Sequence, residues 1–443
     1  MLGAQIAIRF GWLNFILTHW GGPRVDMPTF AALRFGAEKH KMERLESCLD
    51  FLVSEDIYPH YRPMQSAGTT PEVMIEGRPL LMFCSNNYLS LSNAPELKEA
   101  AVEQMAVHGM GPGGSRCLCG NVAVLNDLDR TTADLVGTED AITFPTGYMA
   151  NLSVFRGVLD PFLADGIPYK KGQATVFSDE YNHATVVDGI RLSSAKKVIF
   201  KHSDLDDLER KLRRSGGRGP RLIVTEGVFS LDGEVSPLPE IVALAERYGA
   251  ILMVDDAHGV GMMGDNGGGT VEHFGLRGRV DIIMGSYDKA LGGMGGFLAG
   301  RQKMVDYLRV AARAYMFSSA PSALMAGAMV RSMEMCMGQP ERRQRLRANA
   351  RMLMDGLRAQ GFTVYGDGTV PVAPLLIGDE AKAVVFEEKA FELGVFAPAF
   401  RWPAVPKNTA RIRVTPMADH TEDQINQAVS IYSQVGREMG LVQ

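Results

Sequence analysis

The sequence predicts an α/β fold: a mostly parallel central sheet with helices on both faces, then a smaller C-terminal α+β domain. Three observations carry that expectation. Short apolar runs alternate with helix-patterned stretches between about residues 80 and 320. Strands that are apolar throughout are buried on both faces, as in a parallel sheet covered by helices. The residues with chemical potential sit just after these runs, at the strand ends where open α/β sheets bind ligands. Near residue 320 the texture turns Met- and Ala-rich and helical. At 443 residues the chain exceeds the ~250–300 that one core serves. The expected division is an N-terminal extension and helical segment at 1–78, a large domain at 79–320 and a small domain at 321–443.

Residues 36–57 read as a polar, amphipathic helix. Strand-like runs follow at 80–83, 141–144, 174–177, 197–200, 222–225, 251–254, 280–283 and 296–299, with helical stretches at 123–136, 184–192, 204–214 and 238–248. The C-terminal part opens with a helix at 322–337. Pro340 starts a second, basic helix running to about 360, since proline fits the first helical turn. The last helix, 421–440, begins at Thr421-Glu422-Asp423-Gln424, a capping-box sequence.

Composition is that of an ordinary globular enzyme, with 46% hydrophobic and 22% charged residues. The net charge of −5 gives no basic field for nucleic acid. Five scattered cysteines fit a reducing cytoplasm better than a disulfide framework. Cys117 and Cys119 are one residue apart and lack a second ligand pair, which argues against a zinc site. Residues 6–20 are apolar, yet too short to span a bilayer and broken by Arg9, Asn14 and His19. The segment has two readings. It lies in the plane of the inner membrane face with Trp12 and Trp20 at headgroup level, or it is an extension that packs on the protein or stays loose.

The chemistry centres on Lys289. It stands on a glycine-flanked turn, Ser286-Tyr287-Asp288-Lys289-Ala290-Leu291-Gly292-Gly293, after a strand-like run. A lysine so placed can form a Schiff base with an aldehyde cofactor. Asp255 ends a neighbouring run in Asp255-Asp256-Ala257-His258, where a carboxylate can hold a pyridine nitrogen protonated. Together they point to pyridoxal 5'-phosphate (PLP). His258 is placed to reach the cofactor's phenolic oxygen. His183, after another run, is placed to stack on its ring. For the phosphate, Thr146-Gly147-Tyr148 lies between a strand and a helix, where backbone N–H groups face an anion; Thr146 and Ser286 add hydroxyls. A competing motif, Gly259-Val260-Gly261-Met262-Met263-Gly264, has dinucleotide-binding spacing. That reading needs a helix directly after it, and the glycines at 264, 267, 268, 269, 275 and 278 predict none.

These segments, with Asn182-His183-Ala184 and Glu226-Gly227-Val228-Phe229-Ser230-Leu231-Asp232-Gly233, resemble the α-oxoamine synthases, fold-type I PLP-dependent transferases. The resemblance runs from about residue 40 to the end, and its pattern is closest to bacterial serine palmitoyltransferase. It implies Lys289 as the cofactor-linked lysine, Asp255 as the pyridine partner, His258 and His183 in the roles above, and Ser230 beside the cofactor. It implies Arg401 as the grip on the substrate carboxylate, with Arg413 and Asn87 as further substrate residues. A homodimer with its site at the subunit interface is implied, with 86–88 and 111–114 as reach-across elements. The expected reaction joins an amino acid, serine favoured, to a long-chain acyl thioester of CoA or acyl carrier protein. It releases CO2 and thiol and leaves a 3-ketosphinganine-like amino ketone. Members using glycine or alanine, such as aminooxononanoate synthase, are the alternative, as is a fold-type I aminotransferase or lyase. Three departures stand out: Asp288 where a small residue usually precedes the lysine, Trp402 for a proline, and Leu125 for a histidine.

Overall fold

The computed structural model describes residues 42–54, 61–160, 172–216, 219–402 and 404–443. The apolar segment 6–20 and the start of the 36–57 helix lie outside them. Helix α1 (Glu43–Ser54) precedes strands β1 (Glu72–Ile75) and β2 (Arg78–Met82) and helices α2 (Pro95–His108) and α3 (Ala123–Val136). The alternating run then comprises β3 (Asp140–Phe144), α4 (Gly147–Leu159), β4 (Thr175–Asp179), α5 (Ala184–Leu192), β5 (Lys196–Phe200), α6 (Leu205–Arg214), β6 (Arg221–Glu226), α7 (Leu238–Tyr248), β7 (Ile251–Asp255), α8 (Thr270–His273), β8 (Ile282–Ser286) and β9 (Gly296–Gly300). The C-terminal part holds α9 (Gln302–Ala311), α10 (Arg313–Phe317), α11 (Ala323–Gly338), α12 (Pro340–Ala359), β10 (Ala373–Gly378), α13 (Glu380–Glu392), β11 (Val395–Phe396), β12 (Ala399–Phe400), β13 (Ala410–Val414) and α14 (Glu422–Glu438).

Seven strands form the main sheet in the order β3-β9-β8-β7-β6-β4-β5. All neighbours are parallel except those of β9, which is antiparallel to both β3 and β8. The segment 287–295 is too short for the crossover a parallel pair needs, so β8 turns straight back into β9. Lys289 sits on that turn. Both faces of the sheet are covered, and the alternation of strand side chains proves it. On β7, Leu252 and Val254 belong to one apolar cluster while Met253 belongs to another.

The run at 80–83 does not join this sheet. It forms β2, antiparallel to β1 and parallel to β11, in a separate three-stranded sheet. Glu76 and Gly77 both have positive φ, 52° and 73°, the two-residue hairpin geometry that folds β2 back on β1. A third sheet, β10-β13-β12, packs with α12, α13 and α14 around Leu353, Phe386, Ile412 and Tyr432. The capping box of α14 forms as read, with Thr421 and Gln424 bonding each other's backbone N–H.

The glycine-rich stretch 259–278 holds one helical turn, α8, where none was expected. Its glycines serve Asp256. That side chain is fully buried and accepts a 2.7 Å hydrogen bond from Thr270 N. Burial raises its pKa to about 7. A Cβ on Gly259 or Gly269 would collide with the carboxylate, and Gly269 also needs φ of 93°. Gly275 has positive φ but open space around it. Gly269→Ala should therefore lower the thermal unfolding midpoint by clearly more than Gly275→Ala, whose cost is a left-handed alanine of about 1 kcal/mol. Differential scanning of both variants checks this.

Candidate active site

The C-terminal ends of β4, β6, β7 and β8 and the start of α4 surround a cavity of about 550 Å³. Lys289 enters from the β8–β9 turn. Asp255, the last residue of β7, faces it, and is almost wholly buried. Asp255 Oδ2 accepts from Asn151 Nδ2 at 2.8 Å and Oδ1 from Ala257 N at 3.2 Å. The same Asn151 amide donates to Thr185 Oγ1 at 2.8 Å. The Thr185 hydroxyl lies 2.9 Å from His183 Nδ1, which also accepts from Thr185 N. His183 is the N-cap of α5. Both bonds make Nδ1 an acceptor, so the ring hydrogen sits on Nε2. Burial lowers the His183 pKa, keeping it neutral.

On the other side, Tyr88 OH lies 2.9 Å from His258 Nδ1 and takes a 2.9 Å bond from Arg413 Nη2. Burial, then the charges of Lys289 and Arg413, hold the His258 pKa well below the usual range. Tyr88 OH also reaches Asn86 Oδ1 at 3.2 Å. Arg413 also donates to Asn86 Oδ1 and Ser230 O. Four of the five guanidinium N–H groups are thereby engaged. Glu226 pairs in register with Asp255 on the next strand. Burial and the Asp255 charge raise its pKa well above the carboxylate range. Its Oε1 accepts from His183 N at 2.6 Å.

The far end of the cavity is an anion cradle. Thr146 caps α4 by accepting from Met149 N at 3.2 Å, and the first N–H groups of a helix have no partner within it. A Cβ on Gly147 would come within 3.0 Å of Met284 Cε and 3.2 Å of Ser286 Oγ, so the turn packs closely against β8. Ser286 donates to Asp288 Oδ1, which lies 3.6 Å from Lys289 Nζ.

A second cavity of about 370 Å³ adjoins the first and shares His183, Glu226, Ser230 and Leu231 with it. Its walls are largely apolar: Ala184, Val187, Ile199, Phe229, Val405 and Pro406. Behind it, His202 bonds Asp179 at 3.0 Å and Glu234 at 3.1 Å, and stacks on Tyr181 with ring centroids 4.2 Å apart. Burial alone would lower the His202 pKa. The two carboxylates outweigh burial and raise it to about 10.

The donor set fits PLP. A buried carboxylate faces the cationic lysine across the cavity, neutral imidazoles flank them, and a helix N-terminus with a hydroxyl waits for a dianion. Asn151 Oδ1, in the cavity wall, has no hydrogen-bond partner. Comparisons with known proteins agree. Residues 78–431 match the family Aminotransferase class I and II. The 8-amino-7-oxononanoate synthase of Lysinibacillus sphaericus is 42% identical, over 85% of this chain and 94% of that protein. The Treponema denticola enzyme of that name is 39% identical, over 91% and 99%. Among solved structures, SPT with a PLP internal aldimine superposes with a TM-score of 0.85 at 29% identity, covering 91% of this chain and all of that one. Sphingomonas wittichii serine palmitoyltransferase gives 0.84 at 29%, covering 91% and 99%.

The chain belongs to the α-oxoamine synthase family. It is a PLP-dependent enzyme of fold type I. In this α-oxoamine synthase, ten of the residues expected at the site line one cavity: Thr146, Gly147, Tyr148, His183, Ser230, Asp255, His258, Ser286, Lys289 and Arg413. Two do not. Asn87 is buried and turned away, its side chain bonding Leu91 N, Ser92 N and Thr69 O, while its neighbour Asn86 lines the cavity. Arg401 follows β12 and is absent from the cavity wall, though Phe400 contributes. Asn151, Thr185, Glu226 and Asn86 were missed. Asn151 lies four residues past the start of the helix that opens at Gly147, where the sequence pattern marks the position only as buried.

Replacing Asn151 with Ala removes a hydrogen bond to a charged group, worth about 1.5–3 kcal/mol. Steady-state kinetics should show a roughly 10- to 100-fold loss in catalytic efficiency, with cofactor binding weakened by titration. The His202 pKa is raised on folding, so its stabilisation is complete below about 6.5 and fades as pH rises towards about 10. The difference in thermal midpoint between wild type and His202→Gln should therefore be largest below pH 6.5 and shrink across that window.

Proposed function

We propose that this enzyme condenses a small α-amino acid with an acyl thioester, with loss of CO2 and release of the thiol, to give an α-amino ketone. One observation carries the reading: a polar cavity holding Lys289, Asp255, His183 and His258 shares His183, Glu226, Ser230 and Leu231 with a neighbouring chamber whose apolar side chains suit an acyl chain. Bound PLP supplies an electron sink for negative charge developing at the amino acid's Cα. Lys289 takes the Cα proton as general base and returns it after CO2 departs, a role worth ~10²–10⁴-fold. Asp255, held by Asn151, balances the positive end of the sink. His258 lines the same cavity, and His183 presents a neutral ring to the reacting face. Arg413 has little donor capacity left, so the substrate carboxylate falls to Arg401.

The expected serine and long-chain acyl pair is one finer reading. The names of the sequence relatives favour the other, an oxononanoate-type member using alanine. We also place a second copy of this chain beside the site. Val107, Met110 and Leu118 are exposed large apolar side chains flanking the 111–114 segment.

Purified, PLP-loaded enzyme should be given alanine, glycine or serine with pimeloyl-, octanoyl- or palmitoyl-CoA, following thiol release and product mass. One pair should yield thiol and an amino ketone, and Lys289→Ala should reduce that rate by at least ~10²-fold. Amino-group transfer without thiol release would overturn the reading.

A further inference from the structure

We propose that Asp288 competes with the cofactor phosphate for the Ser286 hydroxyl and sets a deliberately weak hold on PLP. The inference rests on the cofactor alone, not on the substrates.

Ser286 is the hydroxyl best placed to serve an anion at the start of α4. Its Oγ is the atom that a Cβ on Gly147 would meet at 3.2 Å. Its proton has two acceptors: Asp288 Oδ1, two residues on, and Gly295 O at 3.1 Å. The first is charged, so it takes the proton. The carboxylate at 288 therefore stands where a phosphate oxygen would seek its donor. Two anions cannot share one hydroxyl proton, and like charges at this separation repel.

Asp288 is also free to move aside. Its side chain is 54% exposed, and Lys289 Nζ at 3.6 Å offers a second partner. Cofactor entry then exchanges one pairing for another: phosphate takes Ser286 and the α4 N-terminus, while Asp288 turns to solvent or Lys289. A small uncharged residue at 288 would demand no such exchange. The carboxylate thus penalises the phosphate-bearing form of the cofactor and not its ring, and it makes a cofactor-free protein an accessible state.

The experiment is a titration of cofactor-stripped protein with PLP and, separately, with pyridoxal, which lacks the phosphate. Wild type, Asp288→Ser and Asp288→Asn are compared by cofactor absorbance and protein fluorescence. Both variants should bind PLP roughly 10- to 100-fold tighter, the worth of a hydrogen bond to a charged group. Pyridoxal affinity should change far less. In a Ser286→Ala background the gain should largely vanish, a coupling read from the double-mutant cycle. PLP affinity unchanged or weakened in both variants would overturn the proposal, as would an equal gain for pyridoxal. None of these readouts needs an acyl substrate, so they stand apart from the condensation assay.

Discussion

One side-chain amide ties the site together. Asn151 spends both N–H groups inside the fold, one on Asp255 and one on Thr185. The first bond aims a carboxylate at the cavity. The second, through the Thr185 hydroxyl, sets the tautomer of His183. Asn151 belongs to α4, the helix whose first turn forms the anion cradle. A single rigid element therefore registers three features to one another: the anion site, the carboxylate and the ring-facing imidazole. Asn151, Thr185 and Asp255 are buried, where an unpaired polar group is costly and a completed network is correspondingly firm. Removing the amide would not leave a softer version of the site; it would leave a buried carboxylate and a histidine with no fixed orientation.

Charge is rationed in this cavity. Asp255 and Glu226 lie opposite each other on adjacent strands, and burial together with the Asp255 charge raises the Glu226 pKa. Glu226 accepts one N–H, from His183, while Asp255 accepts two, from Asn151 and Ala257. Both histidines are held neutral by burial. What remains charged is a short roster: Asp255, Lys289, Arg413 and Asp288. Arg413 is committed to Asn86, Tyr88 and Ser230, and acts as a strut between β13 and the strand ends. That leaves the lysine as the mobile cation, with one carboxylate across the cavity and another at its side.

Much of this was legible in the sequence, because a strand end announces itself. An apolar run stops, and the next residues point into the crevice; Asp255, His258, His183, Lys289 and Ser286 all follow that rule. The strand assignments held for the same reason, apart from 80–83. There a hairpin through Glu76-Gly77, without the usual Asn-Gly signal, took the run into another sheet. What could not be read depends on pairing across distance. Asn151 lies 104 residues from Asp255, inside a helix whose own pattern says only that the position is buried. Asn86 and Asn87 differ by one residue, and only the turn decides which faces the cavity. Asp255 and Asp256 pose the same choice. There the strand's alternation resolves it, sending one carboxylate to the cavity and the other into a nest of glycines that imitates a nucleotide-binding motif.

The two cavities bear on the class of chemistry. Here the polar cavity shares His183, Glu226, Ser230 and Leu231 with an apolar neighbour. A second substrate with a greasy chain would meet the first where those residues stand, beside His183 and within the field of Lys289. The wall between the compartments is anchored from behind by His202. Its protonated ring draws Asp179 and Glu234 together and supports Tyr181 in the chamber wall. Burying an imidazolium between two carboxylates is an expensive way to brace a loop unless the loop's position matters. That loop carries His183 at one end and lines the apolar chamber along its length, so the brace fixes the boundary that the two cavities share.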